Sequence, residues 1–151
     1  MIEINHECYV SPEVAKLLEQ AGFDWKCKYA YIVTPEGDMP TGEEGMLIDY
    51  VANVNWAVKA PTLEVAQRWL REVKNIAVYT CPSYEPEKFV APNVVADDEK
   101  WLMKWQVSAT PYDIEEDAIN LGDVEEKCFD TCEEAQEAGI QKVLEIILNK
   151  N

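Results

Sequence analysis

Apolar positions along the chain follow two rhythms, and each marks a kind of element. Val14, Leu17, Leu18 and Ala21 recur at helical spacing. Ser11 before them is a cap for the free amides of a first turn, Pro12 suits that turn, and Gly22 is a stop. From Lys26 to Thr34 the rhythm changes to two: Cys27, Tyr29, Tyr31 and Val33 share one face, and Lys28, Ala30 and Ile32 the other, which predicts a strand. Residues 35–45 carry four acids, three glycines and two prolines, the composition of a loop. Met46 to Val58 reads equally as extended or partly helical chain, ended by Pro61.

A second helix is predicted from Thr62 as cap to about Lys74, with Leu63, Ala66, Leu70 and Val73 as its stripe and Asn75 as a left-handed stop. Ile76 to Tyr84 follows as a strand that Pro82 and Pro86 are expected to break, and Pro92 makes the next segment a loop. Lys100 to Ala109 alternates most clearly. Trp101, Met103, Trp105, Val107 and Ala109 are expected on a core face, opposite Lys100, Lys104, Gln106 and Ser108. One buried and one wet face imply antiparallel pairing. The last helix is predicted to start at Asp130 or Thr131, where Thr131-x-x-Glu134 and Asp130-x-x-Glu133 both fit a capping box. Ala135, Ala138, Ile140, Val143, Leu144, Ile147 and Leu148 make it the most apolar helix. The sum is an α+β fold: one domain over residues 1–151, a mostly antiparallel sheet of three to four strands, and about three helices. An acidic connector is expected at about 111–129.

Charge changes this picture more than composition does. The chain has 13 basic and 29 acidic residues and a formal net charge of −16. Between Asp113 and Glu137 lie eleven acids and one lysine, so ten of those sixteen net charges fall in one stretch. Asp113, Glu115, Glu116, Asp117, Asp123, Glu125 and Glu126 are the candidate interaction residues. Such a surface repels phosphate backbones and anionic lipid, which disfavours direct nucleic-acid or membrane binding, and it attracts a protein with a basic face. The plainer reading of the same residues is a solvated loop and a helix start matched to its dipole. At this length a domain buries about 70% of its unfolded surface, so no metal or disulfide staple is required.

Candidate chemistry is sparse. The cysteines at 8, 27, 81, 128 and 132 are odd in number and scattered, which predicts reduced thiols rather than a disulfide framework. The N-terminus lacks a secretory pattern and no apolar run is of spanning length, so a cytoplasmic location is expected. Cys128 and Cys132 lack a second knuckle at zinc-finger spacing, and His6 is the sole histidine to serve a cysteine nucleophile. No phosphate-binding glycine loop or nucleophile elbow occurs, the EF-hand pattern is missing, and no catalytic residue, cofactor or metal is assigned. Trp101 and Trp105, with Tyr29 and Tyr31, are expected in the core; a platform for stacking a ligand ring is the alternative.

Three segments carry a resemblance: Val10-Ser-Pro-Glu-Val-Ala-Lys-Leu-Leu-Glu-Gln-Ala-Gly-Phe23, the Trp69-Leu-Arg-Glu72 helix within residues 60–76, and Phe129-Asp-Thr-Cys-Glu-Glu-Ala-Gln-Glu-Ala-Gly-Ile140. Together, over roughly residues 8–149, they resemble a group of small proteins encoded by phages and prophages of gut bacteria. Those motifs are caps, stripes and stops, and the resemblance brings no catalytic residue with it. It implies an accessory protein of the host cytoplasm. This chain departs from the group in its acidic stretch around 111–127 and its many cysteines. The function expected is therefore a non-enzymatic accessory role through protein–protein contact on an acidic surface. A DNA-mimic inhibitor of a basic host factor, a small-ligand sponge and an enzyme of unrecognised type are the alternatives.

Overall fold

The structure, a computed structural model, describes residues 8–33, 43–87, 89–95, 100–111 and 119–149. Helix α1 (Pro12–Gln20) begins where the cap predicts, with Ser11 Oγ accepting from Val14 N–H, and it ends at Gly22, whose φ of 98° only glycine adopts without strain. Strand β1 (Tyr29–Ile32) is central in a three-stranded antiparallel sheet, between β2 (Leu47–Asp49) and β3 (Ala57–Lys59). The undecided segment after residue 46 is thus two short strands around a turn, with Asn53 at φ 63°. Both faces of β1 are covered: Ala30, Tyr31 and Ile32 are all buried.

Helix α2 (Leu63–Val73) is capped by Thr62, whose Oγ1 accepts from Val65 N–H, and Asn75 adopts the left-handed conformation beyond its end. Strands β4 (Ile76–Pro86) and β7 (Trp101–Pro111) then form one antiparallel ladder of eleven residues a side. Between them a small ribbon, β5 (Phe89–Ala91) and β6 (Val94–Val95), turns at Pro92 and Asn93, the latter at φ 64°. A short helix α3 (Asp123–Glu126) and the long closing helix α4 (Cys132–Asn149) complete the chain. Thr131 Oγ1 accepts from Glu134 N–H, so the cap before α4 forms as its sequence predicts. The fold is α+β, with the strands among the described residues divided among three sheets rather than gathered in one.

Two expectations about β4 and β7 need correction. Pro82 and Pro86 do not break β4. Trp105 exchanges both backbone hydrogen bonds with Phe129, at 2.8 and 2.7 Å, so its polar groups point away from β4. Pro82 faces Trp105, and Pro86 faces Trp101 four residues on, so both prolines sit in pairs that exchange no ladder bonds. Their missing N–H groups instead blunt the outer edge of β4, a known protection against edge-to-edge pairing.

The second correction concerns the predicted core face of β7. Val107 and Ala109 are buried, Trp105 is half-buried, and Trp101 is 54% and Met103 51% exposed. Helix α4 causes this division. It starts with Cys132 against Thr80 (Sγ to Oγ1, 3.2 Å) and runs inward over Val78 and Val107, leaving the outer half of the ladder uncovered. Close approach there requires Gly139: a Cβ would overlap Val107 Cγ2 and stand 3.1 Å from Val78 Cγ1. The core lies where α4 meets α1, α2, β4 and β7, and Leu18, Trp69, Leu70, Leu121, Ile140 and Leu144 are its largest enclosed side chains together with Ile32.

Candidate functional site

The chain around Cys8 is held against the start of α2 by two backbone hydrogen bonds. Val10 N–H donates to Pro61 O (3.0 Å) and Leu63 N–H donates to Cys8 O (2.8 Å), which together make the antiparallel bridge between Tyr9 and Thr62. Facing this corner is the first half of α4. Glu137 fixes it there, its Oε1 accepting from Ser11 N–H at 2.8 Å. A side-chain relay fixes it to α2 and β4: Gln136 Nε2 donates to Gln67 Oε1 (2.7 Å), and Gln67 Nε2 donates to Val78 O (2.8 Å). The space between is an open trough made of two adjoining grooves. The first, about 600 Å³, is floored by Tyr9, Leu63, Phe129 and Ala138 and edged by Glu133, Glu134 and Glu137. The second, about 660 Å³, shares Cys8, Leu63 and Glu133 with it and adds Val65 and Glu64.

Electrostatics single this trough out. Four carboxylates line it, Glu64, Glu133, Glu134 and Glu137, and among the described residues no lysine, arginine or histidine does. Two helix N-termini, those of α2 and α4, open onto it; their dipoles offset part of the repulsion among acids in the first turns. Glu64, Glu133 and Glu134 are exposed, while Glu137 is half-buried. Burial raises the pKa of Tyr31, and the nearby Glu137 charge raises it further; the phenol donates to Val10 O at 2.7 Å.

Of the seven acids marked in the sequence, Asp113, Glu115, Glu116 and Asp117 lie outside the described residues. Asp123, Glu125 and Glu126 sit on α3 and are exposed. Asp123 lines a depression of about 330 Å³ between α3 and α4 together with Glu145 and two cations, Lys127 and Lys142. That depression continues the trough along α4, sharing Ala138 and Gln141 with it. At the start of α4, Glu133, Glu134 and Glu137 gather with Glu64 around one trough, with no cation among its described lining residues. Glu133, Glu134 and Glu137 were visible in the acidic run. Glu64 was not, because a helix 69 residues earlier reaches them only through the tertiary fold.

Three of the five thiols, Cys27, Cys128 and Cys132, are partly enclosed, while Cys8 and Cys81 are exposed. Cys128 lies against Ser83, Glu85 and Gln106, and its pKa is raised, first by hydrogen bonding to Glu85 and then by burial. Cys132 lies against Thr80. Thr80 belongs to one face of the ladder and Ser83, Glu85 and Gln106 to the other, so the two cysteines sit on opposite sides of the sheet. Burial likewise raises the Cys27 thiol, against a smaller opposite effect of Lys59. His6 lies outside the described residues, and among the described residues no cluster of three or more metal-binding side chains forms. Lys104 pairs with Asp130, which raises its pKa chiefly through that hydrogen bond. A separate crevice of about 160 Å³ lies between α1 and the β2–β3 turn. Its lysine, Lys59, donates to Asp24 O at 3.2 Å and covers the Tyr50 ring. Neither Trp101 nor Trp105 lines this crevice, the trough or the α3–α4 depression.

No helix among the described residues is long and apolar enough to cross a membrane. No protein-family model matches the chain, and neither a curated protein nor a solved structure matches it significantly.

Proposed function

We propose that this chain is a non-enzymatic accessory protein that works by binding another protein, and that the partner meets it with a basic surface. The observation that supports this most is the concentration of unopposed carboxylates at the start of α4, on a molecule whose net charge is already −16. Complementary charge of this kind raises the rate of encounter and selects among partners. The same potential disfavours direct contact with nucleic acid or anionic lipid. Support for binding over catalysis comes from the thiols: Cys128 and Cys132, close in sequence, are separated by a sheet and engaged by its polar side chains. The resemblance to small phage and prophage proteins supports a site of action in the cytoplasm of a bacterial host.

Affinity capture from bacterial lysate with the full chain as bait tests this reading. The expected result is at least one protein retained at low salt and released at high salt, enriched in basic proteins, because exposed charge pairs are screened within about 10 Å at 0.1 M salt. Capture that is insensitive to salt, or no specific capture, contradicts it.

A further inference from the structure

Resting on that reading, we infer that the trough between residues 8–9, the start of α2 and the first half of α4 is a docking groove for a linear peptide segment that combines Lys or Arg with large apolar side chains. Its two chemistries are arranged side by side. Tyr9, Leu63, Val65, Phe129 and Ala138 give an apolar lining, and the four glutamates stand along it with no cation among the described lining residues. A purely apolar occupant leaves the exposed carboxylates of Glu64, Glu133 and Glu134 desolvated and unpaired, which is costly. A purely cationic one leaves the apolar lining wet. A segment with both kinds of side chain satisfies both, its apolar groups on the floor and its cations at the glutamates.

Shape agrees with an extended or helical segment rather than a small ion. The acids are distributed along two grooves totalling well over the volume of one side chain, not converged on one point. The walls are braced: backbone bonds hold residues 8–10 to 61–63, and the Gln136–Gln67–Val78 relay ties α4 to α2 and β4. A preformed groove saves the ordering cost that weakens flexible sites.

Selection from a display library of random linear peptides on the immobilised full chain tests the inference. The comparison variant is E64Q/E133Q/E134Q, which removes three exposed carboxylates while keeping side-chain size. The expected result is enrichment of peptides carrying both Lys or Arg and large apolar residues, with affinity roughly tenfold lower for the variant. Bound peptide should also shield Cys8, exposed in the trough, from maleimide while leaving Cys81, exposed on β4, reactive. Failure to enrich any peptide, or enrichment of peptides lacking cations, overturns the groove. Cationic peptides that bind the variant undiminished and leave Cys8 reactive also overturn it. In that last outcome binding through an acidic surface stands and only its placement in the trough falls.

Discussion

Gly139 is where one residue decides whether the closing helix seats. In the middle of a helix glycine is unfavourable by about 1 kcal/mol relative to alanine. Here the missing Cβ lets α4 rest on Val78 and Val107, which are stiff, β-branched and buried. Gly139→Ala should lower stability in urea denaturation by about 1–3 kcal/mol despite the gain in helix propensity. Adding Val107→Ala should recover part of that loss, since it removes the methyl groups in the way; additive losses would show that the close packing is not the cause. Sequence reading could not find this role, because periodicity marks Gly139 only as a gap in an apolar helix. Caps were legible for the opposite reason. Ser11, Thr62 and Thr131 each accept from an amide three residues ahead, a contact set by local spacing alone.

At the scale of elements, local pattern located α1, α2, α4 and the long strands, missed the short α3 within the expected connector, and left hidden what covers a strand. Trp101 and Trp105 alternate with polar residues as core residues do, yet α4 reaches only as far as Thr80 and Val107. The outer half of the β4–β7 ladder therefore presents Tyr84, Trp101 and Met103 to solvent, with Pro82 and Pro86 alongside. Trp69 is the contrasting case: it is buried, edge-on to Phe23 with centroids 5.5 Å apart, and its Nε1 has no acceptor among the described residues. Trp69→Ala should cost about 3–5 kcal/mol in denaturant unfolding. Trp101→Ala should cost less than about 1 kcal/mol, as expected for an exposed site. Equal losses would mean that the outer ladder is covered after all. The prolines were misread because their effect in a strand depends on pairing: opposite Trp105 and Trp101 no ladder bond is asked of them, and a sequence does not say which pairs those are.

For the molecule as a whole, net charge and its location are separate quantities, and the proposed function rests on the second. A charge of −16 repels anions from every side. The composition made that plain, and the acidic run contained Glu133, Glu134 and Glu137 of α4, although the candidates taken from it were the acids ahead of that helix, Asp113 to Glu126. What it did not contain was the opposing wall, where residues 8–9 and Glu64 turn a charged helix end into a trough with an apolar floor. Nor did it distinguish the acids of α3, one of which shares its depression with Lys127 and Lys142. The most direct measurement compares two variants of equal net charge as baits for the same lysate. One is E64Q/E133Q/E134Q at the trough, and the other is E13Q/E19Q/E43Q at exposed glutamates elsewhere. Loss of the captured basic partner with the first and its retention with the second is the result the account predicts. Equal weakening by both, or loss only with the second, would contradict it.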